Sequence, residues 1–200
     1  MSLAPLFPLS HGVFPDGLLQ LNIFEVRYLD LVRRCHRDGE SFGVPWLAEG
    51  HEVQVPGHVP QLHPVGCMVE VADVVEVEPA LLRVVCRGLR RFRLIGHKPG
   101  PFGVWHGEFE WLPEDAPADI PPHLQALADQ LGRLIRAAQQ ADRLAELPVL
   151  PPYRLDECGW VANRWAELLP LPPGLKADLL AVDDPEERLR RLSGYLEPLA

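Results

Sequence analysis

LFPLSHGVFPDGLLQLNIFEVRYLDLVRRCHRDGE, residues 6–40, changes its hydrophobic period partway along. The first half reads as strand. Residues 6–9 form an apolar run, Asp16-Gly17 is a turn dipeptide, and Leu19, Leu21 and Ile23 alternate with Gln20 and Asn22, which buries one face. From Phe24 the period turns helical, with Phe24, Tyr28, Leu31, Val32 and Cys35 on one stripe. Asn22 is placed to cap that helix with Glu25 three positions on. Arg33, Arg34 and Arg37 suit the negative end of its dipole, and Gly39 suits a left-handed stop. The chain is therefore expected to open as strand, turn, strand, helix.

Short strands follow. Residues 42–47 read as one, and a Pro-, Gly- and His-rich loop is expected through Pro64. Residues 65–78 alternate, with Val69, Val71, Val75 and Val77 on one side and Glu70, Glu76 and Glu78 on the other; Asp73 interrupts the apolar side and marks a bulge. Leu82, Val84 and Cys86 continue the pattern, Gly88 is expected to break it, residues 91–95 resume it, and Trp105, Phe109 and Trp111 alternate with His106, Glu108 and Glu110. Residues 1–112 thus form a mainly β unit around one helix, and so many close-set strands fit a small closed barrel. A Pro- and acid-rich linker is expected at 113–122. Residues 123–200 are helical in period, with Leu124, Leu127, Leu131, Leu134 and Ala138 on one stripe and Val161, Trp165, Leu168 and Leu169 on a second. A short segment carries Leu175 and Leu179. The last helix starts at Asp184-Pro185-Glu186-Glu187, with Asp as cap and Glu reaching back, and buries Leu189, Leu192 and Leu196.

Composition excludes several classes. Two hundred residues with 47% apolar content can bury a core, and 22 prolines stiffen many short joints. No apolar run approaches the ~20 residues of a membrane helix, and the start lacks a basic leader, so the expected compartment is the cytoplasm. The net charge of −9 disfavours general binding to nucleic acid. Cys35, Cys67, Cys86 and Cys158 form no CxxC pair and sit among apolar neighbours, as reduced, packed thiols do.

The order of LFPL, FPDGLLQLNIFEVRY, VGCMVEV, VVCRGLRRFRLIG and PLPPGLKADLLAVDDPEERLRRL resembles the N-terminal substrate-recognition domain of Lon proteases over nearly the whole chain. The resemblance implies an α+β fold, a PUA-like β pseudo-barrel with one helix followed by a C-terminal helical bundle, and recognition of unfolded or degradation-tagged proteins. The rest of a Lon protease is not expected here. There is no GxxxxGK[ST] loop, and the two lysines, Lys98 and Lys176, lie in GHKPG and GLKAD, where nothing cradles a nucleotide's phosphates. The expectation is a stand-alone, non-catalytic recognition domain without a cofactor, binding unfolded or apolar polypeptide segments and serving a separate protease.

Candidate sites follow from residue chemistry. Trp160, Trp165, Leu168 and Leu171 crowd a short region between proline breaks, and a peptide groove is expected there, beside the junction of barrel and bundle. The alternative is RNA binding through the one dense basic cluster, Arg87, Arg90, Arg91 and Arg93; Arg91 and Arg93 are expected on one face, with glutamates of neighbouring strands taking up the charge. Glu25 and Arg27 read as structural, one capping the first helix and the other pairing locally. His51, His58 and His63 lack the spacing of a metal site. Ser2, Ser10, Ser41 and Ser193 lie in no GxSxG elbow, and Cys35 and His36 diverge on a helix, so no catalytic residue is expected.

Overall fold

A computed structural model describes residues 2–53 and 58–196. The fold is mixed α+β, and the chain divides into two compact units, residues 1–112 and 113–200. The first contains β1 (Ser2–Leu6), β2 (Leu18–Ile23), α1 (Val26–Asp38), β3 (Ser41–Glu49), β4 (Gln61–Glu78), β5 (Leu81–Pro99) and β6 (Trp105–Trp111). Its sheet has the order β2-β5-β4-β3-β1-β6, and β6 pairs with β5 as well as β1, so five strands form a closed circuit with β2 attached outside it. β1 runs parallel to β3 and every other pairing is antiparallel.

The opening stretch folds largely as its period dictates. Leu19, Leu21 and Ile23 are buried, and α1 turns Tyr28, Leu29, Leu31, Val32 and Cys35 into the same core. Gly39 ends the helix at φ +69°, in the left-handed region where glycine costs least. Three details differ. Phe24 lies before the helix and is exposed; Glu25, not Asn22, occupies the cap position; and no side chain caps the helix, because Glu25 offers its carbonyl to Tyr28 and Leu29 while its carboxylate turns to Arg27. The first strand covers residues 2–6, and the chain just beyond runs beside β3 through Phe7 N–H to Gly43 O and a bridge between Leu9 and Trp46.

The loop expected through Pro64 is shorter, since β4 begins at Gln61; residues 54–57 of it lie outside the described residues. The bulge at Asp73 is present as a register shift between Val71 and Asp73, and it reverses which side chains face inward. Val74 consequently stands opposite Val84 and packs on the core, while Val75 and Val77 are exposed. Gly88 does not interrupt β5, which continues for 19 residues.

The second unit holds α2 (Gln125–Gln140), α3 (Cys158–Leu168), α4 (Pro173–Leu180) and α5 (Pro185–Leu196). On α2 Ile135 is buried and Leu134 is not. At the start of α5 the Asp184 carboxylate accepts the N–H groups of Glu186 and Glu187, a side-chain cap, whereas Glu187 pairs forward with Arg190 and Arg191 instead of reaching back. Residues 113–122 are not a free linker. Asp115 meets the fully buried Arg188 through both carboxylate oxygens, at 2.6 and 2.9 Å, and Arg188 also donates to Asn163 Oδ1 and Val182 O. Ala118 O accepts Cys158 N–H, and Asp119 bridges to Glu157. A buried guanidinium needs a counter-charge, and this segment supplies it.

Removing one partner of such a pair strands the other, so Arg188→Ala should lower stability by about 3 kcal/mol. The measurement is the urea midpoint of the helical signal at 222 nm; a loss below about 1 kcal/mol would show that Asp115 and Arg188 contribute little to this unit.

Candidate functional site

In the first unit Arg27 gathers three segments distant in sequence. Its side chain is buried, and Nε donates to Glu25 Oε2 at 3.0 Å, Nη1 to Gly103 O at 2.9 Å and Nη2 to Glu52 O at 3.4 Å. Its guanidinium carbon lies 4.4 Å from the centroid of the Tyr28 ring, and that ring stacks on Phe7 at 3.7 Å. The planar fork of arginine suits this duty, since it reaches a carboxylate and two carbonyls while stacking on an aromatic face. The start of α1, residues 50–53 and the turn before β6 are thereby held together.

The apolar side chains around this hub face solvent. Phe24 is 59% exposed, Val26 73%, Val53 50% and Phe102 89%. Phe102 has a φ of +57°, a region that a bulky side chain occupies only when its surroundings impose it. The turn imposes it: Gly100 N–H donates to Val104 O, Val104 N–H donates to Pro101 O, and Arg27 holds Gly103 O between them. An aromatic ring held in strained backbone and given to water gains nothing from packing.

Beside the patch lies a hollow of about 210 Å³, walled by Phe7, Leu9, Leu21, Ile23 and Tyr28 and rimmed by Asn22, Glu25 and Glu52. Glu52 is fixed by Ser10, whose N–H and hydroxyl both donate to Oε1. Burial pushes the Tyr28 hydroxyl well above its ordinary range against the opposing charge of Arg27, so it stays protonated. Among the described residues that hydroxyl is buried without a hydrogen-bond partner.

The residues singled out from the sequence lie elsewhere. Trp160 and Trp165 are only 3% and 6% exposed, packed within the second unit: Trp165 Nε1 donates to Leu127 O, and Trp160 contacts Tyr153 and Arg164. Rings so covered offer a peptide almost no surface, and Leu168 and Leu171 are half-buried. The arginine cluster is dispersed over β5. Arg87 pairs with Asp16 at 2.7 Å, Arg90 donates to Leu112 O and covers the Trp111 ring, and Arg93 stands opposite Glu110. Arg91 lies on the same side of β5 as Arg93, as alternation had it, but it is buried, so the two do not present their charge to solvent together. His51 and His58 line a smaller hollow with Arg27 and Tyr28, and no group of three or more potential metal ligands occurs among the described residues. All four cysteines are free and buried, and burial pushes Cys35 up to about 11 and Cys86 up to about 12, so both remain thiols near neutrality.

Sequence reasoning missed Phe102 and Phe24. A phenylalanine within the turn sequence Gly100-Pro101-Phe102-Gly103 was the available signal, because such turns seldom bury a large ring.

The family model for the ATP-dependent protease La (LON) substrate-binding domain matches residues 4–197. Among solved structures, the Lon N-terminal domain protein from Xanthomonas campestris is 34% identical, with a TM-score of 0.74 over 98% of this chain and 99% of that one. The N-terminal domain of Mycobacterium avium complex Lon protease shares the fold at 16% identity and a TM-score of 0.63, covering 98% of each chain. A comparison with curated proteins found no match.

Glycine accepts φ +57° without the Cβ penalty, so Phe102→Gly should raise stability by about 1 kcal/mol. A drop in the urea midpoint would show instead that the ring packs.

Proposed function

The chain belongs to the ATP-dependent protease La (Lon) substrate-binding domain family, and from that premise we propose that it is a non-catalytic module that binds unfolded or apolar-rich polypeptide segments. The first unit is then a PUA-like pseudo-barrel and the second a helical bundle, and a separate cytoplasmic protease is the natural receiver of what it binds. Among the described residues, no helix is long and apolar enough to cross a membrane.

The supporting observation is the apolar patch of Phe24, Val26, Val53 and Phe102 around Arg27. A patch rigidly presented by a buried hub loses little side-chain entropy on binding, and apolar contact needs no particular sequence in the partner. Trp160 and Trp165 are too well covered to supply this surface without rearrangement. RNA binding is the less favoured reading, because Arg87 and Arg90 have protein partners and Arg91 is inside.

A reduced, permanently unfolded protein carrying a fluorescent label should bind with a Kd in the micromolar range, about −8 kcal/mol. Raising salt from about 50 to about 500 mM should weaken binding by less than about threefold, since apolar burial is not screened. The double variant Phe24→Ser with Phe102→Gly should weaken it by about tenfold or more. If single-stranded RNA binds more tightly than the polypeptide, loses affinity steeply with salt and depends on Arg87 and Arg90, the proposal is wrong.

A further inference from the structure

Past β3 the chain turns at Gly50, whose φ of +112° lies where glycine costs least, and Glu52 and Val53 then line the hollow of about 210 Å³ together with Phe24, Glu25 and Tyr28. Glu52 is tied at two points. Its main-chain carbonyl accepts Arg27 Nη2 at 3.4 Å, longer than a good N–H···O bond. Its carboxylate is held more firmly, since Oε1 accepts the Ser10 N–H at 2.6 Å and the Ser10 hydroxyl as well. Ser10 has a fixed origin, because Leu9 before it donates its N–H to Pro45 O and accepts the Leu47 N–H. His11 Nδ1 stands 3.9 Å from the same carboxylate oxygen, but with its side chain 60% exposed it adds little. Val53 follows Glu52 directly, and with half of its surface exposed it is held less by packing than by its neighbour.

We infer that Glu52 is a positioning residue for the apolar patch: its carboxylate, held on Ser10, sets Val53 on the hollow that Phe24 also lines, so that a bound polypeptide meets both side chains already in place. This rests on the reading of the chain as a polypeptide-binding module, and it gives Glu52 a role without contact to the polypeptide. Once the carboxylate is released, Val53 has to be ordered at each binding event, and that entropy is lost from the affinity. The acceptor oxygen matters here and the charge does not, because both groups that Ser10 offers are neutral donors. Phe102 is placed separately, through Arg27 Nη1 on Gly103 O, so its contribution does not depend on the Glu52 side chain.

The test is a double-mutant cycle on the intact chain, read as the affinity for the labelled, permanently unfolded polypeptide. Glu52→Ala should weaken binding by about threefold or more, whereas Glu52→Gln, which keeps an acceptor oxygen for Ser10, should stay within about twofold of the unchanged chain. In a Val53→Ser background Glu52→Ala should cost nothing further, while in a Phe102→Gly background it should cost its full amount. A general loss of fold would instead weaken binding alike in every background. If the unchanged chain binds and Glu52→Ala costs nothing, or costs as much beside Val53→Ser as without it, the positioning role is wrong while polypeptide binding stands. A loss on Glu52→Gln equal to that on Glu52→Ala would also overturn it, since charge would then be what the polypeptide reads. If the unchanged chain binds no unfolded polypeptide, both readings fall.

Discussion

The first unit depends on β5 running unbroken through Gly88. β4 follows one edge of β5; the other is shared, with β2 on residues 82–87 and β6 on residues 92–99. Between them the chain approaches so closely that a Cβ on Gly88 would stand 2.1 Å from the Phe14 carbonyl oxygen. Gly88 exchanges hydrogen bonds there, its carbonyl accepting Asp16 N–H and its own N–H donating to Gly17 O, each at 2.9 Å. Any side chain would push this turn away, and β2 would go with it. Since the far end of β2 launches α1 and Arg27, a constraint at one glycine fixes the position of the apolar patch and of the hollow beside it.

Each unit also buries an arginine that joins segments far apart in sequence. Arg27 meets one carboxylate and two carbonyls; Arg188 meets a carboxylate through both oxygens, an amide and a carbonyl. Desolvating a guanidinium is costly, and such pairs are often no more stable than a hydrophobic replacement. What they add is geometry, because a planar fork accepts few arrangements of its acceptors, whereas apolar groups tolerate many. Arg27 holds a strained turn where contacts of Phe102 alone would not, and Arg188 draws the acidic segment 113–122 into a unit whose apolar pattern begins only at Leu124.

Much of this was legible in the sequence. The change of period inside residues 6–40 placed β2 and α1, Gly39 ended the helix, and Asp184 capped α5, because each reflects local chemistry that acts the same way in any fold. The misreadings share a cause in long-range contact. Gly88 looked like a break because its role lies in what approaches it from residues 14–17. Val75 and Val77 looked internal because the bulge at Asp73 was recognised without its reversal of parity. Trp160 and Trp165 looked available because a tryptophan's burial depends on partners such as Leu127 and Tyr153, which period alone does not supply. Phe102 is the converse, an apolar residue outside any period whose exposure follows from hydrogen bonds at the turn.

A recognition module for unfolded chains must tell them from folded ones without reading a sequence. Folded proteins keep backbone groups paired and large apolar side chains inside; an unfolded segment offers both together. An exposed apolar patch, on the proposed reading, responds to the second of these: a folded partner keeps its large apolar side chains inside, and a polar extended segment has none to offer. Asking only for such side chains is a physical filter for non-native structure that needs no particular sequence. No single contact of this kind is strong, because one side chain buries little area. On that reading, discrimination and weak, reversible affinity follow from the same geometry: an apolar patch whose position is fixed through Gly88 and held by Arg27.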